Sequence, residues 1–177
     1  MTATNNVTDN DLKLILTAYH HWKVLNQSLK AFASRTVNFP EAISKALVCY
    51  QLGYEWHNKT TTKNVGDASF NGKLVEIKAT SNFNSDLTSF SPDTKFDILI
   101  FARLNLAEDQ LYLYDLNLNF SQFQQLQVNK TQTILQQQQS GRRPRLRIIE
   151  NMIIPNQLQP TAVLDLKALA SQLGVSL

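Results

Sequence analysis

The chain has 177 residues, of which 43% are hydrophobic and 18% charged, as in folded globular proteins. This length suits one hydrophobic core, so we expect a single domain over residues 1–177. The net charge of +3 permits nucleic-acid binding without requiring it. No apolar run reaches the roughly 18 residues of a membrane span, and the polar start predicts no secretory signal, so we expect a cytoplasmic protein with no membrane partner.

Two amphipathic helices are predicted within residues 9–53. Apolar residues at helical spacing predict the first helix over about Asp9 to Phe32. Its surplus face either packs on the domain's own sheet or forms a dimer contact. The second helix opens at Pro40-Glu41 and ends at Gly53 through a left-handed cap. Residues 54–65 are polar and predict a connecting loop.

The stretch GDASFNGKLVEIKATS, residues 66–81, predicts a β-hairpin. Asn71-Gly72 favours a type I′ turn, because both central residues of that turn need positive φ. The expected register pairs Phe70 with Lys73, Ser69 with Leu74, Ala68 with Val75 and Asp67 with Glu76. Two carboxylates directly opposed would repel each other unless a cation lies between them.

The hairpin carries a candidate metal and phosphodiester site. Strand periodicity places Glu76 and Lys78 on the face that Asp67 shares, while Val75 and Ile77 point into a core. Two carboxylates with open coordination positions suit Mg²⁺. The ammonium of Lys78 can orient an attacking water and offset the charge that grows in the transition state. An exposed hairpin with ordinary surface charges is the alternative interpretation.

The residues that follow the hairpin are candidates for contact with DNA bases. The segment from Ser81 to Ser89 is rich in short side chains that donate and accept hydrogen bonds, as base-edge readers do. Such residues also build ordinary loops, and both interpretations stay open. The candidate readers are Ser81, Asn82, Asn84 and Asp86.

Two further strands complete a predicted sheet within residues 64–118. Phe96 to Leu104 is nearly continuous in apolar residues and predicts a strand buried on both faces. Leu111 to Leu116 alternates and pairs with it. We therefore expect an α/β (α+β) fold with a central mixed sheet of about four or five strands, flanked by helices. Residues 160–174 predict a closing helix with Val163 on its inner face.

Residues 121–149 form a glutamine-rich and then arginine-rich segment. The glutamines suit either DNA contact or a solvated helix or loop. Four arginines lie within the six residues 142–147, around a proline that blocks a regular helix. Such a cluster favours contact with a phosphate backbone, and a solvated basic surface is the alternative. The candidate DNA contacts are Arg142, Arg143 and Arg145. Arg35, in the loop before the second helix, is either a phosphate contact or a solvated side chain.

The hairpin resembles the active-site motif of the PD-(D/E)XK nuclease superfamily. Asp67, Glu76 and Lys78 match its acidic, acidic and lysine positions, and Gly66 stands where the motif's name has proline. The resemblance implies the restriction-endonuclease-like fold, with Asp67 and Glu76 as metal ligands and Lys78 as a catalytic residue. It also makes Glu41 a candidate that assists the metal or its water. Glu41 is otherwise a first-turn acid favoured by the helix dipole.

The sequence around the hairpin, together with TQT at 131–133 and GRRPRL at 141–146, more narrowly resembles the small type II restriction endonucleases that cut GCNGC. This resemblance implies Mg²⁺-dependent cleavage of double-stranded DNA at a short palindromic site. It also implies a homodimer and a cognate DNA methyltransferase in the same system. A structure-selective or repair nuclease on the same fold, and a DNA-binding protein without catalysis, are the alternatives.

Overall fold

The secondary structure is described from a computed structural model, over residues 7–34, 36–57 and 66–177. The helices in these residues are Asp9–Lys30 (α1), Glu41–Leu52 (α2), Phe120–Gln125 (α3), Ile134–Gln139 (α4) and Leu166–Leu173 (α5), with a π-helical turn at Ile149–Ile153. The strands are Glu55–Trp56 (β1), Ala68–Phe70 (β2), Lys73–Thr80 (β3), Thr88–Ser89 (β4), Ile98–Asn105 (β5), Gln110–Asp115 (β6), Arg145–Leu146 (β7) and Ala162–Asp165 (β8). No helix among them is long and apolar enough to cross a membrane.

The main sheet is mixed, as predicted, but has six strands rather than four or five. Its order is β1-β2-β3-β5-β6-β8, with β3 and β5 parallel and the other pairs antiparallel. The two strands of this sheet that were not predicted are its edge strands, β1 and β8. Because β1 is only two residues long and lies in a polar stretch predicted as loop, no periodic pattern marks it.

The predicted hairpin is present, with one correction at its open end. Asn71 and Gly72 both have positive φ, and the three inner pairs of β2 and β3 have the expected register. The predicted pairing of Asp67 with Glu76 is wrong, because the ladder ends at Ala68. The amide of Asp67 donates instead to the Val75 carbonyl at 2.9 Å.

Gly66 explains why the ladder ends there. Its φ of +70° turns the chain out of the extended conformation just before β2. A Cβ at this position would lie 3.1 Å from the Val75 carbonyl oxygen, so the backbone itself approaches β3 closely. Glycine therefore takes the place of proline here for a conformational reason, since proline cannot adopt positive φ.

The N-terminal helices lie close to their predicted bounds. A capping box between Thr8 and Asp11 starts α1, and Gly53, with φ of +67°, ends α2. Helix α1 packs against α2 and α5, and its buried residues join the hydrophobic cluster on this side of the sheet: Leu12, Leu16, Tyr19 and Trp22. Leu25, which follows the same spacing in the sequence, is exposed.

The prediction of a helix over residues 160–174 is wrong for its first part. Residues Ala162–Asp165 form β8, which pairs with β6, and α5 begins only at Leu166. Val163, predicted to face inward, is 43% exposed. Residues 162–165 form a strand because β6 offers a free edge. Pairing with that edge satisfies the backbone hydrogen-bonding groups that a longer helix would have satisfied internally.

The sheet separates two hydrophobic clusters. Along β5, Ile100, Ala102 and Leu104 belong to the cluster under α1, α2 and α5. Leu99 and Phe101 belong to the cluster that includes residues of α3, α4 and the π-helical turn. The glutamine-rich segment thus forms two short helices that bury one residue each, Phe123 and Ile134. As predicted, β5 is buried on both faces.

Candidate active site

A polar cleft of about 870 Å³ opens beside β3. Its lining comes from α2, from β3 and the loop after it, and from the arginine-rich segment. The lining residues that bear on function are Glu41, Glu76, Lys78, Ser81, Asn82, Ser85, Asp86, Leu87, Arg143, Arg147 and Glu150. Segments more than a hundred residues apart in the chain therefore share one concave surface.

Asp67 is held by β3 although it lies outside the strand ladder. One carboxylate oxygen, Oδ2, accepts the Ile77 amide at 2.8 Å. The other, Oδ1, lies 2.8 Å from the Nζ of Lys45 in α2. The side chain is only 16% exposed. The carboxylate is thus oriented by a backbone donor and neutralised by a lysine from another element.

Glu76 and Lys78 form an ion pair on the face of β3 away from Val75 and Ile77. Their Oε1 and Nζ atoms are 2.7 Å apart, and Lys78 lies over the Phe90 ring at 5.2 Å. Burial raises the pKa of Glu76; the charge of Lys78 opposes this rise, and the negative charge of Asp67 adds to it. Asp67 therefore lies close enough to Glu76 for its negative charge to disfavour the Glu76 carboxylate.

Lys45 is a site residue that the sequence analysis missed. Its Nζ lies 2.7 Å from the Glu41 carboxylate as well as 2.8 Å from Asp67. The hydrogen bond from Lys45 lowers the pKa of Glu41. Burial alone would lower the pKa of Lys45, but its hydrogen bonds to Asp67 and Glu41 raise it above the ordinary value. The feature of the sequence that could have indicated this role of Lys45 is its i, i+4 spacing from Glu41 on α2.

The loop after β3 brings some of the candidate base readers to the cleft. Ser81 and Asn82 line it, and Asn82 also donates to Ser85 at 2.9 Å. Asn84 is exposed but is not among the described residues that line the cleft. The Arg103 side chain, which the sequence analysis also missed, donates to the Phe83 carbonyl and stacks on the Phe83 ring. Arg103 thus fastens the loop to β5.

Asp86 lines the cleft, but its carboxylate oxygens already accept hydrogen bonds from within the chain. Oδ2 accepts the Thr88 hydroxyl at 2.7 Å and the Ile148 amide at 3.0 Å. Oδ1 accepts the Ile149 amide at 2.8 Å. The side chain therefore ties the loop after β3 to the start of the π-helical turn.

The hydrogen bonds of Asp86 lead to a stability prediction. Asp86→Asn is expected to lower the free energy of unfolding by about 1–3 kcal/mol, because an amide nitrogen cannot accept a backbone N–H. Urea denaturation measures this change. Asp93→Asn, at an exposed position in the next loop, is the matched control and should be neutral. Equal stability of the parent and Asp86→Asn would contradict the anchoring role.

The arginine-rich segment is joined to this loop by a second, two-stranded sheet. Strand β7 pairs antiparallel with β4, opposing Arg145 to Ser89. Arg143 and Arg147 line the cleft, and Arg147 pairs with Glu150 at 3.0 Å. Arg142 and Arg145 are exposed but are not among the described lining residues. Arg35 lies outside the residues that the structure describes.

A mixed sheet flanked by helices, with two carboxylates and a lysine at the β2–β3 hairpin, is the arrangement of the restriction-endonuclease-like class of nucleases. Residues 7–155 match the family model described as Bsp6I restriction endonuclease. The chain is 43% identical over 152 residues to the type II restriction enzyme Bsp6I of Bacillus sp. (strain RFL6), covering 85% of each chain. No solved structure matches it. The chain belongs to the Bsp6I restriction endonuclease family.

Proposed function

We propose that this protein is a Mg²⁺-dependent type II restriction endonuclease that hydrolyses one phosphodiester bond in each strand of a short palindromic DNA site. The observation that carries the proposal is the meeting of Glu76, Lys78 and Arg143 in one cleft, with Asp67 held against the same strand. Carboxylates for a metal, a cation for the developing charge and a phosphate-binding side chain are the parts that this reaction needs. Membership of the Bsp6I family supports it.

The carboxylates fit a divalent metal by the chemistry of their donor atoms. Asp67 and Glu76 offer hard oxygen ligands, and each already has an ammonium group within 2.8 Å. In the described residues, no group of three or more His, Cys, Asp and Glu side chains is placed to hold a metal. Two carboxylates completed by waters and a substrate phosphate suit Mg²⁺. A bound Mg²⁺ supplies Lewis-acid polarisation of the phosphoryl group and a more acidic water.

The protein's own side chains position the reacting groups. Lys78 orients the attacking water and stabilises the negative charge that grows on the phosphoryl oxygens. Its contact with Phe90 and its pairing with Glu76 hold it at the cleft in the absence of substrate. Glu41 lies at the rim of the cleft and assists the metal or its water. It is 81% exposed, so its carboxylate is accessible to solvent and substrate.

The arginine-rich segment and the loop after β3 provide the DNA contacts. Arg142, Arg143 and Arg145 bind phosphates or guanine edges, since the arginine fork suits both. Ser81, Asn82 and Asn84 read base edges from the loop after β3. The carboxylate of Asp86 already accepts backbone amides of residues 148 and 149, so Asp86 acts by holding that loop against the arginine-rich segment. Arg35 remains a proposed phosphate contact.

The proposed target is GCNGC, and the proposed assembly is a homodimer. A two-fold symmetric site asks for two symmetric active sites, one for each strand. The exposed apolar side chains of α1, Leu14, Val24 and Leu25, form a candidate surface for that contact. A cognate DNA methyltransferase in the same system protects the host's own sites, with no stable complex required.

Purified protein is expected to cut a plasmid of known sequence into discrete fragments in Mg²⁺ and to leave it intact in EDTA. End-sequencing of the fragments gives the recognition site and the cleavage position. Asp67→Asn should give no fragments in Mg²⁺, because the variant lacks the negative charge of one proposed metal ligand. Cleavage confined to branched or damaged DNA would contradict sequence-specific restriction, and binding without cleavage would contradict catalysis.

A further inference from the structure

Lys45 occupies an unusual position for a lysine on a helix. Its ammonium bridges two carboxylates from different elements, Glu41 one turn earlier in α2 and Asp67 just before β2. The side chain is 20% exposed, so most of it is removed from bulk solvent. Neither Lys45 nor its bridge is needed to form the hairpin, which Asn71-Gly72 and the β2–β3 ladder already specify.

The contact of Lys45 with Asp67 uses the carboxylate oxygen that is more open to a metal. Oδ2 of Asp67 already accepts the Ile77 amide, so a metal would meet less competition from the backbone at Oδ1. Lys45 lies 2.8 Å from that oxygen. An ammonium and a divalent cation repel each other and favour the same carboxylate lone pairs. A metal bound at Oδ1 would therefore weaken the ion pair between Lys45 and that oxygen.

We propose that Lys45 is a resident cation at Asp67, which a divalent metal displaces toward Glu41. In the metal-free enzyme, Lys45 neutralises Asp67 and limits its repulsion of Glu76. When a metal takes Oδ1, the lysine keeps its second partner, Glu41, whose carboxylate is exposed and free to follow it. Lys45 is thus a positioning residue that sets the metal concentration at which the site fills.

This inference rests on the proposed metal site at Asp67 and Glu76, and it predicts the sign of a measurable change. If Lys45 competes with the metal, its removal strengthens metal binding. If it only prepares the shape of Asp67 for the metal, its removal weakens metal binding. Under either alternative, a variant without the ammonium should be less stable in the absence of metal, because the uncompensated carboxylates repel each other. The sign of the change in metal affinity is therefore what separates the two alternatives.

The experiment measures the thermal unfolding midpoint of the protein against Mg²⁺ concentration, without DNA, for the parent, Lys45→Met and Lys45→Arg. Binding to the folded state alone raises the midpoint, so each curve yields an apparent Kd. Lys45→Met should unfold at a lower temperature without metal and bind Mg²⁺ on the order of tenfold more tightly. Lys45→Arg should bind Mg²⁺ more weakly than the parent, because a guanidinium can hold a carboxylate with two bonds.

Controls separate this inference from the proposed function. Lys30→Met removes the same charge from an exposed position at the end of α1 and should leave the Mg²⁺ curve unchanged. If Asp67→Asn responds to Mg²⁺ like the parent, the proposed metal site itself is wrong. If Asp67→Asn loses the response but Lys45→Met binds Mg²⁺ equally or more weakly, only the resident-cation role is overturned. If Lys45→Met does not fold without metal, the Lys45→Arg curve tests the inference instead. A Mg²⁺ affinity of Lys45→Arg equal to that of the parent would then overturn the resident-cation role.

Discussion

Lys78→Ala is expected to lower kcat for DNA cleavage by about a thousandfold in saturating Mg²⁺. The physical reason is that the Lys78 ammonium is the cation of β3 that lines the cleft beside Glu76, 2.7 Å from its carboxylate. Alanine removes the group proposed to orient water and to offset the growing phosphoryl charge. Single-turnover cleavage of a DNA duplex that contains the recognition site measures the chemical step directly.

The same variant should still bind DNA. Arg143 and Arg147 line the cleft independently of Lys78, so the Kd for DNA should change by less than about tenfold. Lys73→Ala is the matched control, since Lys73 lies in the same strand but is exposed at the hairpin turn. Its kcat should equal the parent's. Full cleavage activity in Lys78→Ala would show that the catalytic role assigned to this lysine is wrong.

The second large effect is expected at a buried ion cluster far along the chain from the hairpin. Asp109, in the turn between β5 and β6, is completely buried and accepts hydrogen bonds from Tyr19 and Lys23 of α1. Lys167 of α5 lies 3.4 Å from the same carboxylate. Asp109 therefore fastens both helices to one turn of the sheet. Its backbone has φ of +56°, a conformation that Asp and Asn tolerate better than most residues.

Asp109→Asn is expected to lower the free energy of unfolding at pH 7 by about 3 kcal/mol. Asparagine keeps the shape and tolerates the backbone conformation, but it leaves Lys23 without its anionic partner. Urea denaturation at constant pH measures the change. Glu108→Gln, at the neighbouring exposed position, should shift the free energy by less than about 0.5 kcal/mol. Similar effects of both substitutions would contradict the role of the buried cluster.

The destabilisation should depend on pH in a defined direction. Burial disfavours the Asp109 carboxylate, but hydrogen bonds from Lys23 and Tyr19 outweigh it and hold the pKa of Asp109 below its ordinary value. A lowered pKa contributes stability above the unfolded-state value of about 3.9, and this contribution is lost as the pH falls through the folded-state pKa. The difference between the parent and Asp109→Asn should therefore shrink below about pH 4. A difference that stays constant from pH 7 to pH 3 would argue against the charged form.

Local patterns predicted the parts of the fold that short-range physics decides. The positive φ values of Asn71 and Gly72 fix the hairpin turn, and the apolar run before Leu104 is the doubly buried strand β5. The same reasoning failed at the hairpin's open end. There the close approach of Gly66 to Val75, rather than the turn, determines where Asp67 lies.

The sequence by itself determined the two N-terminal helices, the hairpin with its inner register and the placement of Glu76 and Lys78 together on one face of β3, because turn chemistry and periodicity act between near neighbours. Only the tertiary structure decided that Lys45 meets Asp67 and that Asp86 binds the π-helical turn 62 and 63 residues further along the chain. It also decided that residues 162–165 form an edge strand. These outcomes depend on which elements pack side by side, and side-chain contacts between distant segments leave no periodic signal in the chain.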